Sequence, residues 1–222
     1  MIAVLEELRA EVYRALKALP SNGLVQGTSG NASGRDGDYV VIKPSGVEYD
    51  SLSPDNLVVV DLSGRVIEGV LKPSVDTLAH LHIYRSVPEI GGVVHTHSTY
   101  ATVYAVLGRS IPVYLTEIAD LFGGPIPVSS YVPPGDEKIG KEFAEKACPG
   151  RFQALLMRNH GVFTAGKTPK DALTAALIVE HSARIAHLAE DVGNPAVLPE
   201  EEVRKLHERY GEAYGQRSDE KG

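Results

Sequence analysis

Residues 91–98, GGVVHTHS, can fold in very few ways. Two valines behind two glycines favour a buried, extended backbone, in which side chains i and i+2 project from one face. His95 and His97 would then stand side by side. Such a pair can share a metal ion, or sit in a sheet as ordinary hydrogen-bonded residues. A second His-x-His, His80 and His82 in AHLHIY, acts as a control. It lies in SVDTLAHLHIYRSV, whose apolar spacing is helical, and on a helix positions i and i+2 are about 200° apart. His80 and His82 therefore read as structural or surface residues, and the spelling alone decides nothing.

The surrounding chain sets the frame for that strand. MIAVLEELRAEVYRALKAL has apolar residues at helical spacing with charges between them, so it reads as an amphipathic helix over 2–18 and not as a signal peptide. PSNGLVQGTSGNASGRDGD is rich in Gly, Ser and Asn and is expected to be loop. YVVIK at 39–43 reads as a strand, NLVVVDLSGRVIEG as a hairpin turning at Ser63-Gly64, and residues 92–97 as a buried strand followed by the helix TYATVYAVLG. IPVYL and IPVSSY are strand-like, DEKIGKEFAEKA is an amphipathic helix, and QALLMRNHGVFTAG is a strand pair turning near Asn159–Gly161. The longest helix starts at Thr168, a natural N-cap with Pro169 at the first position. A charged helical tail follows Pro199. Interleaved helices and hairpins without repeats predict one α/β domain over 1–222, a mixed central β-sheet flanked by helices.

Composition excludes some partners. The formal net charge of −7 leaves no basic footprint for nucleic acid. No segment has the apolar length of a membrane span, and the single cysteine, Cys148, has no intramolecular partner, which fits a reducing cytoplasm. A small anionic substrate stays compatible with this balance.

A catalytic zinc-type site uses three protein ligands and an open position. The best third candidate is His160 in MRNHGVF, at a Gly-flanked turn that ends an apolar strand. Asp76 could stand beside the ion, or could simply cap the helix it precedes. Three further stretches, GTSGN at 27–31, KPSG at 43–46 and KPSVD at 72–76, carry many turn amides and hydroxyls. Together with a helix N-terminus they can cradle a phosphate without net positive charge, although each taken alone is an ordinary turn.

The motifs SGN, KPSG, GGVVHTHS, NHG and the closing YGQ, in this order over about residues 5–216, resemble the class II aldolase and L-ribulose-5-phosphate 4-epimerase family. VIKPSGVEYD, KPSVDT and Asp120 in TEIAD are most similar to the 4-epimerase branch, since fuculose-phosphate-type aldolases usually carry Glu where this chain has Asp76 and lack a matching Asp at 120. The resemblance implies a three-layer fold and a divalent metal on His95, His97 and His160 with Asp76 beside it. Zinc is the usual ion, with manganese and cobalt as the other candidates. It implies that Gly30, Asn31, Ser45, Gly46 and Ser74 hold the phosphate of a sugar substrate, with Lys43 near the enediolate oxygens. Asp120 and Tyr214 would be an acid/base pair supplied by a neighbouring subunit of a cytoplasmic homotetramer, with the sites at subunit interfaces. The expected reaction is retro-aldol cleavage and rejoining of C3–C4, converting L-ribulose 5-phosphate to D-xylulose 5-phosphate. The alternatives are an aldolase that releases its aldehyde and, as in the adducin head, a binding module without chemistry. Val75 replaces the usual second serine, the segment after VPPGDE is short, and the tail YGEAYGQ is a residue tighter, so the substrate is less defined than the chemistry.

Overall fold

In the computed structural model, which describes residues 2–213, seven strands form one sheet in the order β4-β3-β2-β1-β5-β7-β6. The strands are β1 (Asn31–Asp36), β2 (Tyr39–Ile42), β3 (Val58–Asp61), β4 (Val66–Glu68), β5 (Gly92–Thr96), β6 (Gln153–Met157) and β7 (Gly161–Gly166). The helices are α1 (Ile2–Ser21), α2 (Thr77–Ser86), α3 (Thr99–Leu107), α4 (Thr116–Phe122), α5 (Lys138–Lys146), α6 (Pro169–Val192) and α7 (Glu200–Ala213). All six ladders are antiparallel, and the parallel contribution is the isolated Val128–Leu156 bridge. The expected α/β domain with a central sheet between helices is what forms, and the sheet, expected to be mixed, is antiparallel in every strand ladder.

Alternation along the strands builds the layers. Val40, Ile42, Val58, Val60, Val93 and Phe163 pack with α2 and α5 on one face. Their neighbours Val41, Val59 and Val94 pack with α1 and α6 on the other, while Leu156 and Val162 meet α3, α4 and α7. Period-two burial on both faces is how a sheet sandwiched between helices excludes water. Thr168 caps α6 as its residue type predicts, its side chain accepting from Asp171 N at 3.1 Å.

Two expectations are corrected. Residues 31–36, expected within a loop, form β1, which lies between β2 and β5. NASGRD has weak strand propensity, but its small residues let two helices approach: a Cβ on Gly34 would lie 2.7 Å from Leu8 and 2.9 Å from Pro169. Tertiary packing overrides propensity here. Conversely, IPVYL and IPVSSY make only the Ile111–Ile126 and Val128–Leu156 bridges. Pro112, Pro125 and Pro127 have no N–H to extend a ladder.

Candidate active site

β5 has two strands on one side and four on the other, and it presents His95 toward α2. The His95 ring stacks on Phe163 of β7, with centroids 4.3 Å apart. Its Nδ1 lies 2.9 Å from Val162 O. A carbonyl only accepts, so Nδ1 carries the proton and Nε2 keeps its lone pair. His97 follows at the strand end, its Nε2 3.0 Å from His95 Nε2. His160 comes from the turn between β6 and β7, where Asn159 takes a left-handed φ of 58°. The turn passes so close to β5 that a Cβ on Gly161 would lie 2.3 Å from Thr96 O and 3.1 Å from the His97 ring. Glycine at 161 is therefore what admits His160 to the cluster.

The three imidazoles offer nitrogens within 4.8 Å of one another. Burial lowers the pKa of all three, most strongly His95, and mutual repulsion with His160 adds to the effect on His95 and His97. They are neutral at neutral pH, the state in which imidazole ligates. Among the described residues, His160 Nδ1 and Asp76 Oδ1 are buried without a hydrogen-bond partner. Converging neutral lone pairs beside the Asp76 carboxylate fit a divalent cation, and a histidine-rich donor set with one carboxylate suits zinc-type ions.

Asp76 does not cap α2. It occupies the N-cap position without a side-chain capping bond, and Thr77 Oγ1 donates instead to Ser74 O at 2.6 Å. The carboxylate, 5% exposed, turns toward the histidines: Asn31 Nδ2 donates to Asp76 Oδ2 at 2.8 Å, and that oxygen lies 4.0 Å from His95 Nε2. Asn31 also donates to Ser74 Oγ at 3.1 Å. One β1 side chain thus joins the carboxylate to the serine loop.

Two of the three phosphate-loop candidates, those at 43–46 and 72–76, are zipped together, with Ser45 N donating to Lys72 O and Ser74 N to Lys43 O. Lys43 is 2% exposed, its Nζ near the carbonyls of Thr28 and Pro44 and over the Tyr49 ring. Burial lowers its pKa against the opposing effect of Glu48. These loops and the histidines line one cavity of about 420 Å³. It brings together Gly30, Asn31, Lys43, Ser45, Gly46, Ser74, Asp76, His95, His97 and His160.

The cavity does not include Asp120, which lies on α4, where its backbone carbonyl accepts from His207 Nδ1 at 2.9 Å. Tyr214 lies outside the described residues. Sequence reasoning did not name Thr28, Ser29, Pro44 or Pro134 as lining residues, and it named Val75 as the position where a serine is usual. The first three belong to the GTSGN and KPSG loops that it did single out, whereas Pro134 carries no local signal. Among the described residues no helix is long and apolar enough to cross a membrane.

Comparison with known proteins is consistent with this architecture. Residues 10–187 match the Class II Aldolase and Adducin N-terminal domain family. An L-fuculose 1-phosphate aldolase structure is similar at 31% identity and a TM-score of 0.86, covering 92% of this chain and 96% of that one. YgbL from Escherichia coli, described as an aldolase/epimerase/decarboxylase, has 29% identity and a TM-score of 0.80, covering 92% and 99%. An L-fuculose-1-phosphate aldolase from Thermus thermophilus has 27% identity and a TM-score of 0.71, covering 84% and 98%. With a shared fold and a family match over most of its length, the chain belongs to the class II aldolase family.

Proposed function

We propose that the chain is a metal-dependent L-ribulose-5-phosphate 4-epimerase, interconverting its substrate with D-xylulose 5-phosphate. The observation that carries this reading is the carboxylate at 76. It is an aspartate, held by Asn31 against the histidine cluster and almost fully buried. A carboxylate so placed serves the metal end of the site, and the proton transfers fall to other groups. That division matches the epimerase-like motifs, in which Asp120 and Tyr214 come from a neighbouring subunit of a homotetramer.

When bound by His95, His97 and His160, zinc or a similar divalent ion supplies the Lewis acidity that stabilises negative charge as the bond breaks. Ser45, Ser74 and the amides around Gly30 and Gly46 hold the phosphate, and Asn31 fixes the rim to the floor. One residue of the Asp120–Tyr214 pair takes the C4 hydroxyl proton as C3–C4 cleaves. The bonding electrons remain on the three-carbon half as an enediolate, whose oxygens lie near the Lys43 ammonium. Glycolaldehyde phosphate turns its other face while the loops retain its phosphate. Bond formation then returns the electrons to C4, and the other member of the pair protonates the new alkoxide.

A second reading, a class II aldolase that releases the aldehyde, is favoured by the names of the 31% and 27% identical neighbours. The two readings separate on the products from L-ribulose 5-phosphate. A coupled assay is expected to detect D-xylulose 5-phosphate. Release of dihydroxyacetone and glycolaldehyde phosphate, or turnover of L-fuculose 1-phosphate alone, would overturn the epimerase in favour of the aldolase. Tyr214→Phe is expected to suppress turnover with metal content unchanged.

A further inference from the structure

Strand β1 and helix α2 meet in a two-rung ladder. Asn31 and Ser33, two apart on the strand, share a face, and Asp76 and His80, one helical turn apart, share another. The first rung joins Asn31 to Asp76 at 2.8 Å, and the second joins Ser33 Oγ to His80 Nδ1 at 2.7 Å. Asp76 belongs to the metal end of the site, whereas His80 has no part in the mechanism above. Yet it is fully buried, edge-on to the same Phe163 on which His95 stacks.

Hydrogen-bond counting sets its tautomer. Ser33 Oγ has two partners at 2.7 Å, His80 Nδ1 and Tyr84 OH, but one hydrogen. Among the described residues no acceptor other than Ser33 Oγ lies within hydrogen-bond reach of the Tyr84 hydroxyl, so its hydrogen goes to Ser33. Ser33 then donates to His80 Nδ1, and the imidazole proton sits on Nε2. The reverse arrangement would strand the buried Tyr84 O–H without an acceptor. Burial pushes the His80 pKa down to about 3, so the ring is neutral at neutral pH, and Asp76 is near enough to oppose that shift. Among the described residues, three buried polar atoms here lack partners: His80 Nε2, Asp76 Oδ1 and Asn31 Oδ1. One is a donor and two are acceptors, the set that a single buried water satisfies.

We propose that His80 is a positioning residue of the metal site, donating its Nε2–H through one buried water to Asp76 Oδ1. The chain Tyr84–Ser33–His80 aims the carboxylate at the histidine cluster from behind, as Asn31 does from the side. The inference rests on the metal-site reading above but on no choice of sugar.

The test is a competitive zinc titration of the folded, chelator-stripped full chain. His80→Gln keeps an N–H donor near the Nε2 position, and His80→Asn places its amide near Nδ1 instead. His80→Asn is expected to weaken zinc binding by about 10–100-fold, the usual range for losing a partner that orients a ligand. His80→Gln is expected to stay within about threefold of the wild type, well inside that range. Equal affinity for all three proteins, or equal loss in both variants, would overturn the proposal. Nitrogen-15 NMR of the histidines gives a second readout that needs no variant to fold. An Nε2–H tautomer for His80 supports the proposal, and Nδ1–H overturns it. A wild type that binds no zinc would instead sink the metal-site reading itself.

Discussion

The chain spells His-x-His twice, and the two copies fare differently. On β5, His95 and His97 point into one cluster with their Nε2 atoms 3.0 Å apart. On α2, His80 turns inward to Ser33 while His82 turns outward, its Nδ1 3.1 Å from Glu137. The spacing is identical, and the backbone period alone separates the pairs: two residues per repeat return a side chain to the same face on a strand, and about 200° of rotation carries it away on a helix. A metal motif is therefore a statement about a sequence on a known backbone.

Substitutions can break or sharpen this contrast. The largest effect is expected from His97→Ala. Removing one of three imidazoles should cost more than the roughly 100-fold attached to an orienting partner, and activity should fall with it. His82→Ala should leave zinc content and turnover unchanged, and parallel losses in the two variants would break the strand-versus-helix argument. Next is Asp76→Asn, where the helix reaches over to the strand histidines. Its isosteric amide should fold, yet weaken zinc binding by about 10–100-fold, measured by competition with a chelator; wild-type affinity would mean that Asp76 serves α2 after all.

Gly161→Ala probes the strand side. A Cβ 2.3 Å from Thr96 O must displace the His160 turn, with a loss of about 1–3 kcal/mol in urea unfolding as for other overpacked sites. Unchanged stability and zinc affinity would show that the turn has room. The smallest effect per residue concerns acid. His80 is depressed from 6.5 to about 3 by burial, and His95, His97 and His160 are also lowered. The unfolded chain then binds protons that the folded chain refuses. The stability of metal-free protein is full above about pH 6.5, falls as pH drops below it, and for His80 levels off below about 3. At about pH 5.5 the His80 share alone is about 1 kcal/mol. A urea midpoint that does not move between about pH 7 and about pH 5 would contradict the burial of these rings.

Legibility from sequence followed the physics of each element. The apolar run of β5, the hairpin turn beside His160 and the Thr168-Pro169 start of α6 depend on local chemistry, and each is where its residues placed it. The histidines and the glycine-serine loops of the cavity stand out by residue type, whereas the individual phosphate contacts and the role of Lys43 enter with the family resemblance. β1 does not stand out, since NASGRD reads as a turn until α1, α2 and β5 are packed around it. The proline-bounded segments looked like strands because their side chains suit a sheet, but their backbones lack donors. Asp76 was ambiguous between cap and ligand, and only its bonds to Asn31 and its approach to His95 separate the two. Asp120 and Tyr214 enter through family resemblance alone, because no local pattern marks either of them.

The place of β5 in the sheet has a consequence for how the site moves. Its amides and carbonyls are tied to β1 on one side and β7 on the other, so hydrogen exchange at Val93–His95 should proceed only through global opening, while the loop amides around Ser45 and Ser74 exchange through local fluctuation. The histidine floor thus shares the lifetime of the whole fold, and the rim above it keeps a faster clock of its own. A destabilising change anywhere in the core would then register first as a leakier metal site, before any loss of structure could be seen.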